Sequence, residues 1–542
     1  MKYINFKVLF FLILTFYCIC LSQLGMENWD TGYIPSFSWR VINGQDIYQD
    51  FIYKGPPITI YLHAFWMKIL PIEGQFYFIR ISNYIMFSLQ VYCTLSGFDS
   101  IYDFKKRGFN KWLLMCICFI VSMHNFSPYP WPTTDGILFA SIAFFIFAKY
   151  QSSCLALILV AVFAFLSAMT KQSFYLIPIG FLVWIFIESG FKKSLFYIIS
   201  LSLILGLYFF WISSFTTLQN YFYQTSNQTS VKDLLIAGIG SYVYSFGSKW
   251  IFIAVVLFAF IPAYFLKSKS VGFFRQYLFC LIFGFLILGI FNHIFLNPLT
   301  ASLQFFIVGC LALIYNYLYL NKNLKFLAPF SLGLLVAWSS AISVGYPYTV
   351  LCSTILIVSF LILFYDEILK FKYNRIIYFC LIFSMCFISF ASNKYQYREK
   401  HFTQLTCDLS AISPKLNYIR TSKTTFEKHL ELKKLIKKYG KNFVVAPNMP
   451  MANYLFDAQS QLPADWIITN EIMGREAVFI KICTNNKIFI FVEKEYLTDK
   501  VYVDYEILHS KITDFIVSKF NKIDETKHFY VFNALKSDEK LP

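Results

Sequence analysis

Apolar runs of roughly the length that crosses a bilayer recur throughout the first 393 residues of this 542-residue chain. Each run predicts a helix, because a segment in hydrocarbon must satisfy its backbone hydrogen bonds internally. The composition agrees, since 57% of the residues are hydrophobic and only 14% are charged, against about 25% charged in ordinary soluble domains. The fold class is therefore mainly α, a polytopic transmembrane helix bundle. We predict about 13 spans, at 6–24, 77–97, 112–127, 136–149, 153–169, 173–188, 195–213, 250–266, 274–292, 301–320, 326–344, 347–365 and 376–392.

The positions of Lys and Arg predict the orientation of the bundle, because short cytoplasmic loops collect basic residues. The run 58–70 has about 13 residues and contains His63 and Lys68, so we expect it to lie in the interface instead of crossing. The amino terminus is then cytoplasmic, with the first run as a retained signal anchor. With this assignment the following loop residues are also cytoplasmic: Lys105, Lys106, Arg107, Lys111, Lys149, Lys192, Lys193, Lys267, Lys269, Arg275, Lys322, Lys325, Lys370, Lys372 and Arg375.

The same topology places residues 394–542 on the external face, after a membrane domain of residues 1–393 whose first external loop is 25–76. The tail is predicted to be a small soluble α/β domain. An amphipathic helix at 427–440 ends at Gly440, and strands are predicted at 442–447, 478–482, 488–495 and 528–532. Cys407 and Cys483 are the cysteines of this polar tail, where a disulfide between them is left open.

Charge placement excludes two function classes. The net charge of +17 lies mostly in the membrane part, and no basic helix or aromatic-basic platform of the nucleic-acid-binding kind is present. No charged residue lies near the middle of a predicted span, which argues against a proton- or ion-coupled transporter. The acidic residues of the membrane part instead gather on the external side: Glu27, Asp30, Asp46, Asp50, Glu73, Asp135 and Asp233.

Asp30, just beyond the first span, is the candidate general base, because a partly desolvated carboxylate at the interface can take a proton from an alcohol or amine. Glu27 precedes it by three residues and would share a face if the helix continues. Lys54, in YKGPP, is placed to hold a lipid phosphate, and Arg80 and Lys171 lie at other external helix ends. Each of these residues also has a structural reading, as a cap or as a snorkelling lysine.

Two further residues complete the candidates. Asp135 begins a span on the external side, as a helix cap or as part of the site, and His293 is a weak candidate metal ligand. An external transferase needs a donor that the membrane delivers, and a polyprenyl-phosphate sugar fits that need. Its phosphate is the leaving group, whose developing charge lysine or arginine can stabilise. Attack by the acceptor from the opposite side would invert the anomeric carbon.

These residues resemble a known pattern. The chain is similar to the GT-C membrane glycosyltransferases, especially the bacterial relatives of protein O-mannosyltransferases and of the lipid A aminoarabinose transferase. The similarity rests on Asp30, GQDIYQDF at 44–51, Lys54 followed by PPITIYL at 56–62, Arg80 in FIRIS, DGILF at 135–139, and Lys171 in MTKQSF. It covers about 30–175 in sequence and is architectural beyond. Tyr53 stands where these enzymes often have an acid, so the resemblance carries over no metal site.

The resemblance implies roles for these residues. Asp30 would be the catalytic base, and Lys54, Arg80 and Lys171 would contact the donor phosphate. Asp135, together with Asp50 and Glu27, would orient the substrates. The expected partners are the lipid bilayer, a polyprenyl-phosphate-linked sugar and a glycan, lipid A or protein acceptor; a divalent cation is left open as a cofactor. The expected location is a bacterial inner membrane, with the C-terminal domain periplasmic.

Two alternatives stay open. One is an O-antigen-type polymerase or ligase, although such enzymes usually depend on external arginines and the 214–249 loop contains none. The other is a lipid or glycan flippase or scaffold without chemistry, for which replacement of Asp30 by Asn would be harmless.

Overall fold

The computed structural model describes residues 5–27, 29–123, 129–151, 153–226, 298–319, 322–342, 352–363, 399–485, 488–498 and 509–535. The predicted spans 250–266, 274–292 and 376–392 and the residue His293 lie outside these ranges. The helices before residue 393 are α1 Phe6–Ile19, α2 Asp30–Ile42, α3 Ile58–Ile69, α4 Gln75–Tyr102, α5 Lys111–Ser122, α6 Pro132–Tyr150, α7 Cys154–Ala168, α8 Ile177–Ser189, α9 Phe191–Ser213, α10 Leu218–Ser226, α11 Pro298–Tyr319, α12 Leu324–Ala341 and α13 Ser353–Leu363.

Every predicted span within the described ranges overlaps one of these helices. Their length and apolar composition are those of a multi-pass membrane protein, but the number of spans is not confirmed. Some apolar helices, such as α5 and α7, are shorter than a full span. The helix α4 is long enough, but its polar residues lower its hydropathy. Of the described residues, five segments are long and apolar enough to cross a membrane: Phe6–Gln23, Pro132–Tyr150, Gln172–Ser189, Phe191–Ser213 and Leu324–Ala341.

The outer surface of α9 shows how the bundle meets its surroundings. Leu203, Leu207 and Phe210 are 65%, 69% and 77% exposed, and they lie three or four residues apart on one helix face. An apolar stripe of this kind is costly in water and favourable against lipid tails. Inside the bundle, α4 packs closely on α6, where a Cβ on Gly97 would lie 2.6 Å from the ring of Phe144.

The first external loop contains two helices. The interfacial segment predicted at 58–70 is the helix α3; its depth in a bilayer stays a prediction. The helix α2 was not predicted, because Gly32 and Pro35 are poor residues for a helix interior. Packing compensates for this low propensity: a Cβ on Gly32 would lie 2.6 Å from Cβ of Met451, so only glycine allows α2 to approach the C-terminal domain this closely.

The described residues of 399–535 form the predicted α/β domain. Its elements are β1 Cys407–Asp408, β2 Arg420–Thr421, α14 Lys423–Tyr439, β3 Phe443–Ala446, α15 Ala452–Leu455, α16 Thr469–Ile472, α17 Glu476–Asn485, β4 Phe489–Glu493, α18 Lys494–Thr498, α19 Lys511–Lys519, β5 Phe520–Glu525 and β6 Phe529–Leu535. A mixed sheet has the strand order β3-β4-β6-β5, where β3 and β4 are parallel and the other neighbours are antiparallel.

One prediction for this domain is wrong, one strand was not predicted, and the question of a disulfide, which the sequence left open, is answered. The strand predicted at 478–482 is wrong, because the segment lies in α17, where Phe479 and Cys483 are buried one helical turn apart. The strand β5 was missed, since most of its side chains are exposed and show no apolar alternation. Cys407 and Cys483 are both free thiols, so no disulfide joins them. The helix predicted at 427–440 is confirmed as α14, and Gly440 caps it with a φ of +93°.

Candidate active site

The site is built around the start of α2. Glu27 precedes this helix and caps it: Oε1 accepts hydrogen bonds from the backbone N–H groups of Trp29 and Asp30 at 2.8 and 3.0 Å, and Oε2 accepts from Thr31. The helix α1 ends before Glu27 and α2 begins at Asp30, so the condition under which Glu27 and Asp30 would share one helix face is not met. Asp30 is the first residue of α2 and is half-buried.

Arg80 fixes the segment that leads into this cap. Its guanidinium is 1% exposed and donates to three backbone carbonyls, those of Ser22 at 3.1 Å, Leu24 at 3.0 Å and Gly25 at 2.6 Å. These bonds direct the guanidinium into the protein, where it holds the turn between α1 and α2. The geometry thus gives Arg80 a structural role, and its expected contact with the donor phosphate stays a prediction.

Lys54 meets the C-terminal domain. Its ammonium donates to the backbone carbonyl of Asn470 and to Oε1 of Glu471, the latter at 3.3 Å. Oε2 of Glu471 accepts a hydrogen bond from the hydroxyl of Tyr33 at 3.1 Å. Tyr33 lies on α2, one helical turn after Asp30. Burial and the charges of Glu471 and Asp30 raise the pKa of Tyr33 well above its usual value, so the phenol stays a proton donor. Glu471 thus links Lys54 to the start of α2.

Asp135 lies on the other side of the same group of residues. It is fully buried in the first turn of α6, and its Oδ2 lies 3.2 Å from Nε2 of His63 on α3. Tyr53 is buried close to both Asp135 and Glu471, and burial together with these two carboxylates raises its pKa. Asp135 is therefore a buried acid that contacts a histidine, and it also lies in the first turn of a helix.

Lys171 reaches the group from the turn between α7 and α8. Its ammonium donates to the carbonyl of Ile342 at 3.0 Å and to Oγ1 of Thr133 at 3.4 Å, two residues before Asp135. The next residue, Gln172, donates through Nε2 to the backbone carbonyl of Lys54 at 2.6 Å. The backbone of one lysine expected to bind phosphate, Lys54, is thus bonded by the residue that follows the other, Lys171.

Burial lowers the pKa of Lys171 to about 8. Its side chain is therefore charged below about pH 8 and neutral above it, so an anion bound there would be held less tightly as the pH rises through this value. In a transfer assay we expect the KM for a phosphate-linked donor to rise between about pH 7 and pH 9. Lys171→Arg should remove that rise, because a guanidinium keeps its charge over this range. If the KM depends on pH in the same way in the wild type and in Lys171→Arg, Lys171 does not bind the donor phosphate.

Another candidate, Asp50, makes a local contact in the first loop. Asp50 is exposed and closes a turn, where its Oδ2 accepts from the backbone N–H of Asp46 at 2.7 Å. The exposed position and this local contact favour a structural role for Asp50, and its expected substrate-orienting role stays an untested prediction. Within the part of the chain that the structure describes, no three or more His, Cys, Asp or Glu side chains are arranged to hold a metal ion. A metal requirement stays an open prediction.

Sequence reasoning missed four members of the group: Tyr33, Tyr53, His63 and Glu471. A signal existed for His63, which is a polar residue in an otherwise apolar helix. Tyr33 and Tyr53 are ordinary among the 38 tyrosines of the chain. Glu471 lies 417 residues after Lys54 in the sequence, so no local pattern could associate the two.

The chain matches no protein-family model and no curated protein sequence. Among solved structures, it is similar to the oligosaccharyltransferase of Archaeoglobus fulgidus. The structure of that protein with zinc and sulfate matches at a TM-score of 0.48 and 12% identity, over 98% of this chain and 73% of that one. The structure tethered to an acceptor peptide with the NVT sequon matches at 0.49 and 12%, over 99% and 74%. Likeness at this level establishes neither a common family nor a common activity.

Proposed function

We propose that the protein is an integral-membrane glycosyltransferase of the GT-C type that transfers a sugar from a polyprenyl-phosphate donor to a lipid, protein or glycan acceptor at the external face. One observation carries the proposal: a candidate base, a second acid and two cations come from three separate parts of the chain and are linked through shared neighbours, among them Tyr33, Tyr53 and Glu471. Asp30 and Lys54 belong to the first loop, Asp135 to α6 and Lys171 to the α7–α8 turn.

In the proposed reaction, the Asp30 carboxylate takes the proton from an acceptor hydroxyl or amine. The acceptor atom then attacks the anomeric carbon of the sugar from the face opposite the phosphate. The bond between that carbon and the phosphate oxygen breaks, its electron pair leaves with the phosphate, and the anomeric configuration is inverted. Lys54 and Lys171 stabilise the negative charge that grows on the leaving phosphate. Asp135, held by His63, orients a substrate hydroxyl.

The location of the site supports a membrane-delivered donor. Asp30, Lys54 and Lys171 all lie near the ends of apolar helices at the proposed external side. A polyprenyl chain in the bilayer would bring its phosphate to this level. The proposed setting is a bacterial inner membrane, with the C-terminal domain in the periplasm.

The test compares surface glycolipids and glycoproteins by mass spectrometry in three strains: a deletion, its wild-type complement and its Asp30→Asn complement. We expect one sugar mass to disappear from the same molecule in the deletion and the Asn strain, which would also identify the acceptor. If the Asn protein is present in the membrane and restores the wild-type profile, Asp30 is not the base, and a flippase or scaffold becomes the better reading.

A further inference from the structure

The C-terminal domain supplies contacts to the Lys54 ammonium. The carbonyl of Asn470 and the carboxylate of Glu471 both lie on α16, and the side chains of Lys54 and Glu471 are only 7% and 16% exposed. An ammonium has three N–H donors, and these two contacts use two of them. Two fixed acceptors on one side of the nitrogen set the direction in which the remaining donor points.

Glu471 is itself held in place. The backbone N–H of Thr469 donates to the carbonyl of His509 at 2.8 Å, and that of Glu471 donates to the carbonyl of Ile468 at 2.9 Å. Ile472, the next residue, is fully buried in the core of the C-terminal domain. The carboxylate therefore extends from a rigid segment toward α2, where the Tyr33 hydroxyl occupies its second oxygen.

Two aromatic side chains near the Glu471 carboxylate, Tyr33 and Trp466, also join the membrane domain to the C-terminal domain. The rings of Tyr33 and Trp466 meet edge to face, with centroids 5.6 Å apart, and Nε1 of Trp466 donates to Oδ1 of Asn448 at 2.6 Å. Asn448 follows β3, at the carboxyl end of the parallel strand pair. This end of the sheet thus faces the start of α2.

We propose that Glu471 is a positioning residue of the transferase site, and that the C-terminal domain completes the donor-phosphate site through it. This inference rests on the proposed function. Glu471 acts through Lys54: it provides the counter-ion that holds the direction of the ammonium while the donor is absent. A buried cation without its partner is strongly unfavourable, and Lys54 would turn toward the other acids of the group, Asp30 and Asp135.

The experiment measures binding of undecaprenyl phosphate to the purified full-length protein in nanodiscs, with undecaprenol, which lacks the phosphate, as the reference lipid. We expect Glu471→Ala to weaken phosphate-lipid binding by about tenfold or more, as is common for groups that orient a binding residue. Glu471→Gln keeps an acceptor oxygen, so its affinity for undecaprenyl phosphate should lie between those of Glu471→Ala and the wild type. Binding of undecaprenol should be unchanged in every variant.

A double-mutant cycle separates positioning from structure. Lys54→Met should weaken phosphate-lipid binding, and adding Glu471→Ala to it should cause no further loss, because Glu471 then has no lysine to position. Glu476→Ala is the matched control: it removes the same charge five residues further on, at the start of α17, and should bind like wild type. If Glu471→Ala does not fold, Glu471→Gln carries the same cycle.

The outcomes distinguish two failures. If the wild-type protein shows no preference for undecaprenyl phosphate over undecaprenol, the proposed function fails, and the inference fails with it. If the wild type shows the preference but Glu471→Ala and Glu471→Gln bind as well as wild type, only the inference is overturned. Losses that simply add in the double variant would also overturn it, since they would show that Glu471 acts independently of Lys54.

Discussion

Purified Asp30→Asn protein is expected to transfer sugar on the order of 10³-fold more slowly than wild type, which is the range for loss of a general base. An amide of the same size cannot take the proton of the acceptor, whereas the phosphate contacts proposed for Lys54 and Lys171 should be unaffected. The loss should therefore fall on kcat, with the donor KM nearly unchanged. The measurement is release of polyprenyl phosphate from the sugar donor as a function of donor concentration.

Asp50→Asn is the matched control for this result. Asp50 belongs to the same loop and carries the same charge, but it is exposed and contacts the backbone of Asp46. Its replacement should leave kcat within about twofold of wild type, as expected for a group that takes no part in the chemistry. If both variants lose activity equally, the effect comes from the charge or folding of the loop. If Asp30→Asn retains full kcat, another group is the base.

The parts of the fold that sequence could predict are those in which one local property decides the structure. Apolar length predicts helices such as α6 and α9, and the glycine after an amphipathic run predicts the end of α14. The helix α2 is different, because its stability comes from contacts with a domain more than 400 residues further along the chain. The segment in α17 was misread because its β-branched and aromatic residues suit both a strand and a buried helix face.

For the candidate site, too, some features could be predicted from local sequence and others could not. Sequence could identify Asp30, Lys54, Asp135 and Lys171 as polar residues at the ends of apolar runs, where few charges are expected by chance. It could not tell where a long side chain points. Arg80 and Lys54 have the same kind of position in sequence, yet Arg80 turns to three carbonyls and Lys54 to a carboxylate of another domain. Only the tertiary structure separates these cases.

The largest effect on stability is expected from Arg40→Met. The Arg40 guanidinium, on α2, is 1% exposed and forms a two-bond pair with Asp465 of the C-terminal domain, at 2.7 and 2.8 Å, and it also donates to the carbonyl of Leu462. Removing Arg40 leaves the buried Asp465 carboxylate without its positive partner, with only the hydrogen bond from Nδ2 of Asn453 at 3.0 Å remaining among its described side-chain contacts, and loss of one partner of a buried pair costs about 3–5 kcal/mol. We expect a lower unfolding temperature and faster protease cleavage between the two domains, both measured on the purified protein.

The control for this prediction is Lys106→Met, which breaks an exposed ion pair with Asp103 and should leave the unfolding temperature nearly unchanged, because water and salt screen such pairs. A double variant, Arg40→Met with Asp465→Leu, should regain much of the loss, because no charge is then left buried without a partner. Because α2 carries Asp30 at one end and Arg40 near the other, undocking at Arg40 should also separate Glu471 from Lys54 and Tyr33. If Arg40→Met keeps wild-type stability, the contact between α2 and the C-terminal domain does not hold the site together, and the role given to Glu471 loses its structural basis.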